Sequence, residues 1–348
     1  MSQYLVLSRI KIQNANTIAG FTWGFPAITS FLGFTHALNR KLSDSYNGDY
    51  PCELSGCMVI ANRADNKVYR PKKFSDFEFI QSKTPPVLAK HKNSSPPIIE
   101  EGKVNLTVSL VIELDTPLSL TSDKSVEFEN YIESLCRSMH IAGGTVLDLA
   151  KVKLLSASTE EQHRTLINKV KRLCMPGFVL KDRSDDLQQR VEEITSQSDV
   201  ELPQPRLNAW LDFSALKFVA QPKLKEGQTQ PDEQTDATWG YESKVYKGYL
   251  VPLMVGYKAI SDVYEAGQIE NTRDPDTPAC FVEAVHSVGE WVSMHRVRNL
   301  DEFIWCYHQQ DEWYLCQQAP NEADDVNHLH IDTNQSQSDI DEQVLNLF

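Results

Sequence analysis

RIKIQNANTIAGFTWGFPAITSFLGFTHALNRKL, residues 9–42, passes from an alternating apolar pattern through a polar segment and an aromatic bend into a helical pattern. Its beginning continues YLVLSRIKI (4–12), whose period-two alternation predicts a strand. After the bend, the apolar residues of AITSFLGFTHALNRKL (27–42) recur near helical spacing, and the basic end suits a helix C-terminus. The stretch therefore predicts a strand and a helix joined by a segment that is first polar and then aromatic.

The next segments complete an order of six elements. GCMVIAN (56–62) and VNLTVSLVIEL (104–114) predict strands, SVEFENYIESLCRSMH (125–140) predicts an amphipathic helix, and GGTVLDLAKVKLL (143–155) predicts a last strand. The order β-α-β-β-α-β is that of the ferredoxin-like or RNA-recognition-motif fold, whose antiparallel sheet leaves one face free of helices. We therefore predict an α+β fold with this core, although fold order alone assigns no function.

The chain after residue 155 is patterned less regularly. It predicts helices at 159–174 and 184–196, a linker at 196–206, a mobile loop at 221–240 and strand character at 246–260. We divide the chain into a core (1–155), a helical insertion with a β-rich part that completes the fold (156–318), and an acidic tail (319–348). The tail has no basic residue and little periodicity, which is typical of a peripheral or disordered segment.

The net charge of −14 disfavours nucleic acid as a partner at first sight. Residues 299–348, however, contain 11 Asp or Glu and no Lys or Arg, so most of the negative charge belongs to the C-terminal end. Residues 62–92 have the opposite balance, with eight Lys or Arg against three Asp or Glu. A basic patch that binds phosphate and a solvated loop with spare lysines are both open interpretations.

Several classes of protein are disfavoured. The longest apolar runs, such as YLVPLMVGY (249–257), are far shorter than the roughly 20 residues of a membrane span. The N-terminus lacks the basic region of a secretory signal, so we expect a cytoplasmic protein that contacts no membrane. The seven cysteines are scattered without a C-x-x-C pair, which favours reduced thiols. No recognised ligand spacing is present, and we expect neither a metal nor another cofactor.

Three stretches spread over the chain resemble one protein family. They are RIKIQNAN…TWGFP…FLGFTHALNRKL near the N-terminus, VPLMVGYKAISDVYEAGQIENTRDPDTPACFVEAVHSVGEWVSMHRVRNLDEFIW (251–305), and HIAGGTV (140–146). The first two resemble the subunit of the type I-F (Csy) CRISPR surveillance complex that binds the 5′ handle of the guide RNA. The third is similar to the glycine-rich loop of the wider superfamily of repeat-associated RNA-binding proteins.

The resemblance implies a non-catalytic protein. It would grip the guide RNA 5′ handle, pair with the large subunit, cap the backbone subunits at the foot of the complex, and meet target DNA indirectly or at the protospacer-adjacent end. It also implies an RNA-recognition-motif core with a projecting thumb and helical additions. We place the thumb near 62–103, because a long excursion separates the second and third predicted strands there.

Polar residues at the end of the first strand are candidate RNA contacts. The amides of Gln13, Asn14 and Asn16 offer donors and acceptors to unstacked base edges or a 2′-hydroxyl. An Asx turn that closes the strand is the alternative, and the resemblance favours RNA for at least one of the three. Trp23 is a candidate for stacking on a base, with core or interface packing as its alternative.

Further candidates lie on the first helix and in the glycine-rich loop. His36 and Arg40 share a helix face at i and i+4, and Arg40 is a candidate phosphate contact. Gly143 and Gly144 would let the backbone approach RNA and present amides to phosphate, whereas the alternative is an ordinary turn.

Cations of the C-terminal block are also candidate RNA contacts. Arg273, His295, Arg296 and Arg298 lie on predicted loops near strand ends, and guanidinium groups bind phosphate and stack on bases. An internal ion pair with a neighbouring aspartate is the alternative for Arg273.

Two other functions are weighed against RNA binding. An endoribonuclease would need groups that move protons beside a 2′-hydroxyl, and His36 or His140 near the glycine-rich loop are the residues available for that role. A protein that contacts only other subunits would suit the acidic overall charge. The resemblance favours RNA binding without cleavage.

Overall fold

The computed structural model describes residues 2–44, 50, 52–84, 99–197, 204–223, 230–231, 235–270, 272 and 274–318. The helices in this part of the chain are α1 (Ile28–Asp44), α2 (Ser122–Arg137), α3 (Glu160–Cys174), α4 (Ser184–Gln197) and α5 (Pro205–Ser214), with short 3₁₀ helices at Met294–Arg296 and Asp301–Phe303. The strands are β1 (Ser2–Asn16), β2 (Ile18–Ala19), β3 (Thr22–Trp23), β4 (Leu54–Asn66), β5 (Val68–Tyr69), β6 (Glu78–Phe79), β7 (Gln81–Thr84), β8 (Ile99–Leu114), β9 (His140–Ile141), β10 (Gly144–Asp148), β11 (Lys151–Ala157), β12 (Phe178–Asp182), β13 (Phe218–Pro222), β14 (Ala237–Tyr241), β15 (Leu250–Ala259), β16 (Val282–Ser293), β17 (Trp305–Gln310) and β18 (Trp313–Gln318).

A twelve-stranded antiparallel sheet organises the described chain, which confirms the predicted α+β class. Strand β1 pairs with β8 along one edge and with β11 and then β10 along the other. Strand β8 pairs in turn with β4. The segment predicted as one strand at 143–155 is two successive strands, β10 and β11, that occupy the same edge of β1.

The sheet closes on itself beyond β4. The second edge of β4 pairs with β12 at Ile60 and Ala61 and with β17 at Cys57. Strands β12, β16, β15, β18 and β17 pair successively, so that these five strands and β4 form a closed circuit. Within it, the indole of the buried Trp305 donates a hydrogen bond of 3.1 Å to the Leu180 carbonyl.

Both faces of the sheet around β1 are covered, so the expectation of a face free of helices is wrong. Leu5 and Leu7 belong to a core cluster with residues of α1 and α2. Tyr4 and Val6 point to the opposite face, where a second cluster contains residues of α3 and of the two 3₁₀ helices. Because apolar groups lie on both sides, residues 3–8 are all buried.

Two irregularities in β1 change which face its side chains meet. The pairing with β8 shifts register between Leu7 and Ile10, where Arg9 has a φ of +50°. Such a bulge places an extra residue on one strand and shifts its alternation. Ile10 therefore joins the cluster of Leu5 and Leu7, although strict alternation would place it on the opposite face.

Other expectations differ from the structure after residue 155. The helix predicted at 184–196 is α4, but α5 begins at Pro205, in what was predicted to be a linker. The segment predicted as a mobile loop at 221–240 begins and ends in strands β13 and β14. The tail (319–348) lies outside the described residues, and the division of the chain at residue 155 stays a prediction. No helix in the described part is long and apolar enough to cross a membrane.

We expect closure of the circuit at β4 to depend on Gly56. A Cβ atom added there would lie 2.5 Å from the Cys306 Sγ, the Ile304 Cγ2 and the Trp305 carbonyl oxygen. Gly56→Ala should therefore lower the free energy of unfolding by about 1–3 kcal/mol, measured by urea denaturation.

The matched control is Gly33→Ala in α1, where the nearest atom to an added Cβ is the Tyr307 hydroxyl at 4.0 Å. It should leave the stability unchanged or raise it by up to about 1 kcal/mol, because alanine favours a helix over glycine. Equal effects of the two substitutions would contradict this explanation.

Candidate nucleic-acid interface

The end of β1 leaves the core at a second bulge. The pairing with β8 shifts register between Ile12 and Ala15, and Asn14 has a φ of +58°, a conformation that asparagine tolerates better than most residues. The Asn14 N–H donates to the side-chain oxygen of Asn105 on β8 at 3.1 Å. Gln13 and Asn14 are therefore exposed on a backbone that side-chain hydrogen bonding holds in place.

Asn16 forms the turn that was the alternative to RNA binding. Its side-chain oxygen accepts the Ile18 N–H at 3.1 Å, and its Nδ2 donates to the Ile18 carbonyl at 3.0 Å. Both groups of the amide are thus used locally. The prediction that at least one of the three amides contacts RNA now depends mainly on Gln13 and Asn14.

The glycine-rich loop meets this end of β1. The Asn16 N–H donates to the Ala142 carbonyl at 2.8 Å. A Cβ atom at the buried Gly144 would lie 2.7 Å from the Ala15 nitrogen, whereas one at the exposed Gly143 would meet nothing within 4 Å. Gly144 is therefore required for close packing, and Gly143, with a φ of +72°, leaves its backbone open to a ligand.

Lys67 brings a cation to the same place. It lies directly after β4, and its ammonium group donates to the side-chain oxygen of Asn14. Its backbone N–H donates to the Lys103 carbonyl at 3.2 Å, which fixes the base of the excursion between β4 and β8. Because Asn14 is uncharged, this contact leaves the positive charge of Lys67 unneutralised.

Trp23 and Phe25 of the bend and Phe34 of α1 pack within the protein. Trp23 lies 4.8 Å from the Phe79 ring, and a Cβ atom at Gly102 would come within 2.5 Å of its indole. Phe25 stacks on Phe31 with ring centroids 5.5 Å apart. Phe34 is buried. These contacts favour the packing alternative for Trp23 over its predicted stacking on a base.

Phe21 is the aromatic residue that the sequence analysis missed. It lies in the turn between β2 and β3, is 90% exposed, and stacks on His286 with ring centroids 5.2 Å apart. Its N–H donates to the His286 Nε2 at 3.2 Å. A large aromatic residue after Gly20 in a turn was the available signal, but an isolated phenylalanine usually indicates core.

The other predicted contacts in the described part of the chain lie on α1 and beside α3. His36 and Arg40 are exposed on α1, whose opposite side packs on the sheet. His295, Arg296 and Arg298 are exposed beside α3, where the Lys171 ammonium group donates to the His295 carbonyl at 3.0 Å. Arg273 lies outside the described residues. The end of β1 therefore brings together Gln13, Asn14, Asn16, Gly143 and Gly144, whereas the remaining predicted His and Arg residues of the described part lie on α1 and beside α3.

The cations beside α3 repel one another. Burial lowers the pKa of Lys171, and the nearby charge of Arg298 lowers it further.

His140, considered for nuclease chemistry, is exposed in β9 opposite Thr145. Across the described ranges, no three His, Cys, Asp or Glu side chains come together in a way that would hold a metal ion.

We predict that the contact between Phe21 and His286 depends on pH. Burial lowers the pKa of His286 below its ordinary 6.5, against the opposing effect of backbone hydrogen bonds. The stability contributed by the neutral imidazole is complete above about pH 6.5 and declines as the pH falls toward the folded-state pKa. Urea unfolding between pH 7.5 and pH 5.5 should show this decline.

His286→Gln is the control, because its amide oxygen accepts a hydrogen bond and does not titrate. The variant should lose part of the pH dependence of the free energy of unfolding. An identical pH dependence in the two proteins would exclude His286 as the titrating group.

Comparisons with known proteins agree with the resemblance noted in the sequence. A family model described as CRISPR-associated protein (Cas_Csy2) matches residues 5–316. CRISPR-associated protein Csy2 of Pseudomonas aeruginosa (strain UCBPP-PA14) is 31% identical to this chain over 318 residues, which are 88% of this chain and 92% of that protein. The chain therefore belongs to the Csy2 family of the type I-F CRISPR system.

Proposed function

We propose that this subunit of the Csy complex binds the 5′ handle of the guide RNA at the end of β1 and does not cleave it. The observation that carries the proposal is the meeting of three features there. They are the exposed amides of Gln13 and Asn14, the open backbone at Gly143 and the charge of Lys67. The exposed ring of Phe21 follows a few residues along the chain, in the turn between β2 and β3. Amides, backbone N–H groups, a cation and an aromatic ring are the groups that single-stranded RNA requires.

Each group has a distinct part in this proposal. Phe21 stacks on an unpaired base, because its ring lies on His286 and is already oriented. Lys67 binds a phosphate, and its contact with Asn14 places the amide beside the same nucleotide. The backbone at Gly143 presents its amide group to an RNA phosphate, which a side chain at this position would obstruct.

The core around this site is proposed to be RNA-recognition-motif-like. Strands β4, β8, β1 and β11 are neighbours in that order, and α1 and α2 pack on the same face. This is the neighbour order and helix placement of a β-α-β-β-α-β unit. The second face, which such units leave open for RNA, is covered by α3, so the handle is proposed to bind at the strand ends instead.

The excursion between β4 and β8 is proposed to act as the thumb. Its described part exposes Phe74 and Phe77, which are 89% and 64% exposed. The Arg70 guanidinium lies 5.0 Å from the Phe77 ring centroid, and the Lys73 ammonium lies 5.5 Å from that of Phe74. Aromatic rings paired with cations suit nucleic acid.

Other protein subunits complete the site in this proposal. The cations at the end of β1 are few, and the chain has a net charge of −14. The chain alone would therefore bind RNA weakly, and a basic neighbour is needed. We propose that the large subunit is that neighbour and that the chain also contacts the backbone subunit. Target DNA would meet the assembly indirectly or at the protospacer-adjacent end.

We predict that Phe21→Ala weakens handle binding by the chain paired with its large subunit. Loss of one stacked base is worth about 1–3 kcal/mol, or about a 5- to 150-fold rise in the dissociation constant. Lys67→Gln should reduce the slope of log affinity against log salt by about one. Both effects are measured by fluorescence polarisation with labelled handle RNA.

Phe281→Ala and Lys124→Ala are the matched controls, because Phe281 is 54% exposed and Lys124 is exposed at the start of α2. They should leave affinity and salt slope unchanged. If Phe21→Ala and Lys67→Gln behave like these controls, the handle does not bind at the end of β1.

We also predict that the chain leaves precursor RNA intact, with or without divalent ions. Labelled precursor incubated with the protein should give no product on a denaturing gel, and His36→Ala and His140→Ala should look the same. Cleavage that either substitution abolishes would overturn the non-catalytic assignment.

A further inference from the structure

A second projection of the chain is built from β13 and β14. The two strands pair from Phe218 opposite Tyr241 to Pro222 opposite Ala237. Two more hydrogen bonds extend the ladder, from the Glu242 N–H to the Lys217 carbonyl at 2.8 Å and from the Lys223 N–H to the Asp236 carbonyl at 2.7 Å. Within the described chain, this hairpin is a sheet of its own, separate from the twelve-stranded sheet.

One face of this hairpin is aromatic. Phe218, Trp239 and Tyr241 lie on the same side, because the first is paired with the last and the two residues of β14 are two positions apart. Their exposed fractions are 55%, 61% and 66%. The Phe218 ring lies 5.7 Å from that of Trp239 and 5.1 Å from that of Tyr241, so the three form one continuous surface.

Two further apolar residues are exposed close in sequence to the base of the hairpin. Leu216 and Val245 are 73% and 56% exposed. A two-stranded hairpin is at best marginally stable alone and normally needs a further layer over its apolar face. Three large aromatic side chains, each more than half exposed, would contribute a substantial part of the roughly 800 Å² that one partner gives to a specific interface.

The charges around the aromatic face favour protein over nucleic acid. The paired part of the hairpin has two lysines and two acidic residues, Lys217, Lys223, Asp236 and Glu242. The connecting residues 224–235 contain one lysine and three acidic residues. By contrast, residues 67–80 of the excursion contain four Lys or Arg and two acidic residues, and two of their cations lie over aromatic rings. The phosphates of a nucleic acid would therefore be attracted to the excursion more strongly than to the hairpin.

We propose that the face formed by Phe218, Trp239 and Tyr241 docks into an uncharged, apolar groove of another protein subunit of the complex. Interface anchors are typically large aromatic residues that fill a pocket and exclude water. The assignment rests on the chain being a subunit of the complex, and it uses none of the RNA contacts proposed above.

The test is the double variant Phe218→Ser with Trp239→Ser in the full chain. The chain is combined in turn with the purified large subunit and the purified backbone subunit, and affinity is measured by biolayer interferometry. Loss of two anchors should weaken binding to one of these subunits by tenfold or more. The thermal midpoint should change little, because the hairpin projects from the core.

The control is Gln221→Ser with Thr238→Ser, which changes the opposite face of the same two strands at paired, exposed positions. It should leave both affinities unchanged. Unchanged affinity of the aromatic variant for both subunits would overturn the proposal.

Two further outcomes would overturn it in favour of another occupant. If subunit binding is intact but the assembled complex loses affinity for RNA, the face binds nucleic acid. If light scattering shows a self-associated chain that the variant converts to monomer, the face binds a second copy. Because Phe21 and Lys67 are unchanged in these variants, failure of the handle proposal would be seen separately.

Discussion

Backbone pairing of β1 along both of its edges is the constraint on which the rest of the structure depends. Strand β8 pairs with one edge, and β11 followed by β10 pairs with the other. With α1 and α2 on one face and α3 on the other, β1 has no open side over residues 3–8. Beyond this buried segment the strand becomes exposed, at Lys11 and at its end, where Gln13, Asn14 and Asn16 lie.

The two bulges in β1 give this buried strand an exposed polar end. At each bulge a backbone N–H of β1 donates a hydrogen bond to a side chain of β8. The Arg9 N–H donates to the Ser109 hydroxyl at 2.9 Å, and the Asn14 N–H donates to the side-chain oxygen of Asn105 at 3.1 Å. The first bulge keeps Ile10 in the core, and the second turns Asn14 outward. A rigid scaffold thereby positions polar groups at its rim, and the glycine-rich loop and Lys67 join them through contacts far apart in sequence.

Local patterns were sufficient to predict part of this arrangement. The strand beginning at 4, the helix at 27–42 and the glycine turn at 143–144 follow from periodicity and residue type over short windows. Contacts between residues far apart in sequence determine the rest. Examples are the packing of α3 on Tyr4 and Val6 and the pairing of β4 with β12 and β17, which closes the circuit of strands. Phe21 was missed because its stacking partner is a histidine 265 residues away. Asn14 and Asn16 look alike in sequence, and only the bulge and the turn assign them different partners.

Crosslinking of the guide RNA to this chain tests the central claim most directly. Handle RNA with 4-thiouridine at single positions would be bound to the chain paired with its large subunit, irradiated, and mapped by mass spectrometry of the peptides. We expect crosslinks within residues 13–24 and 140–146 and at Lys67. Crosslinks confined to α3 and the segment at His295–Arg298, with none at the end of β1, would contradict the account.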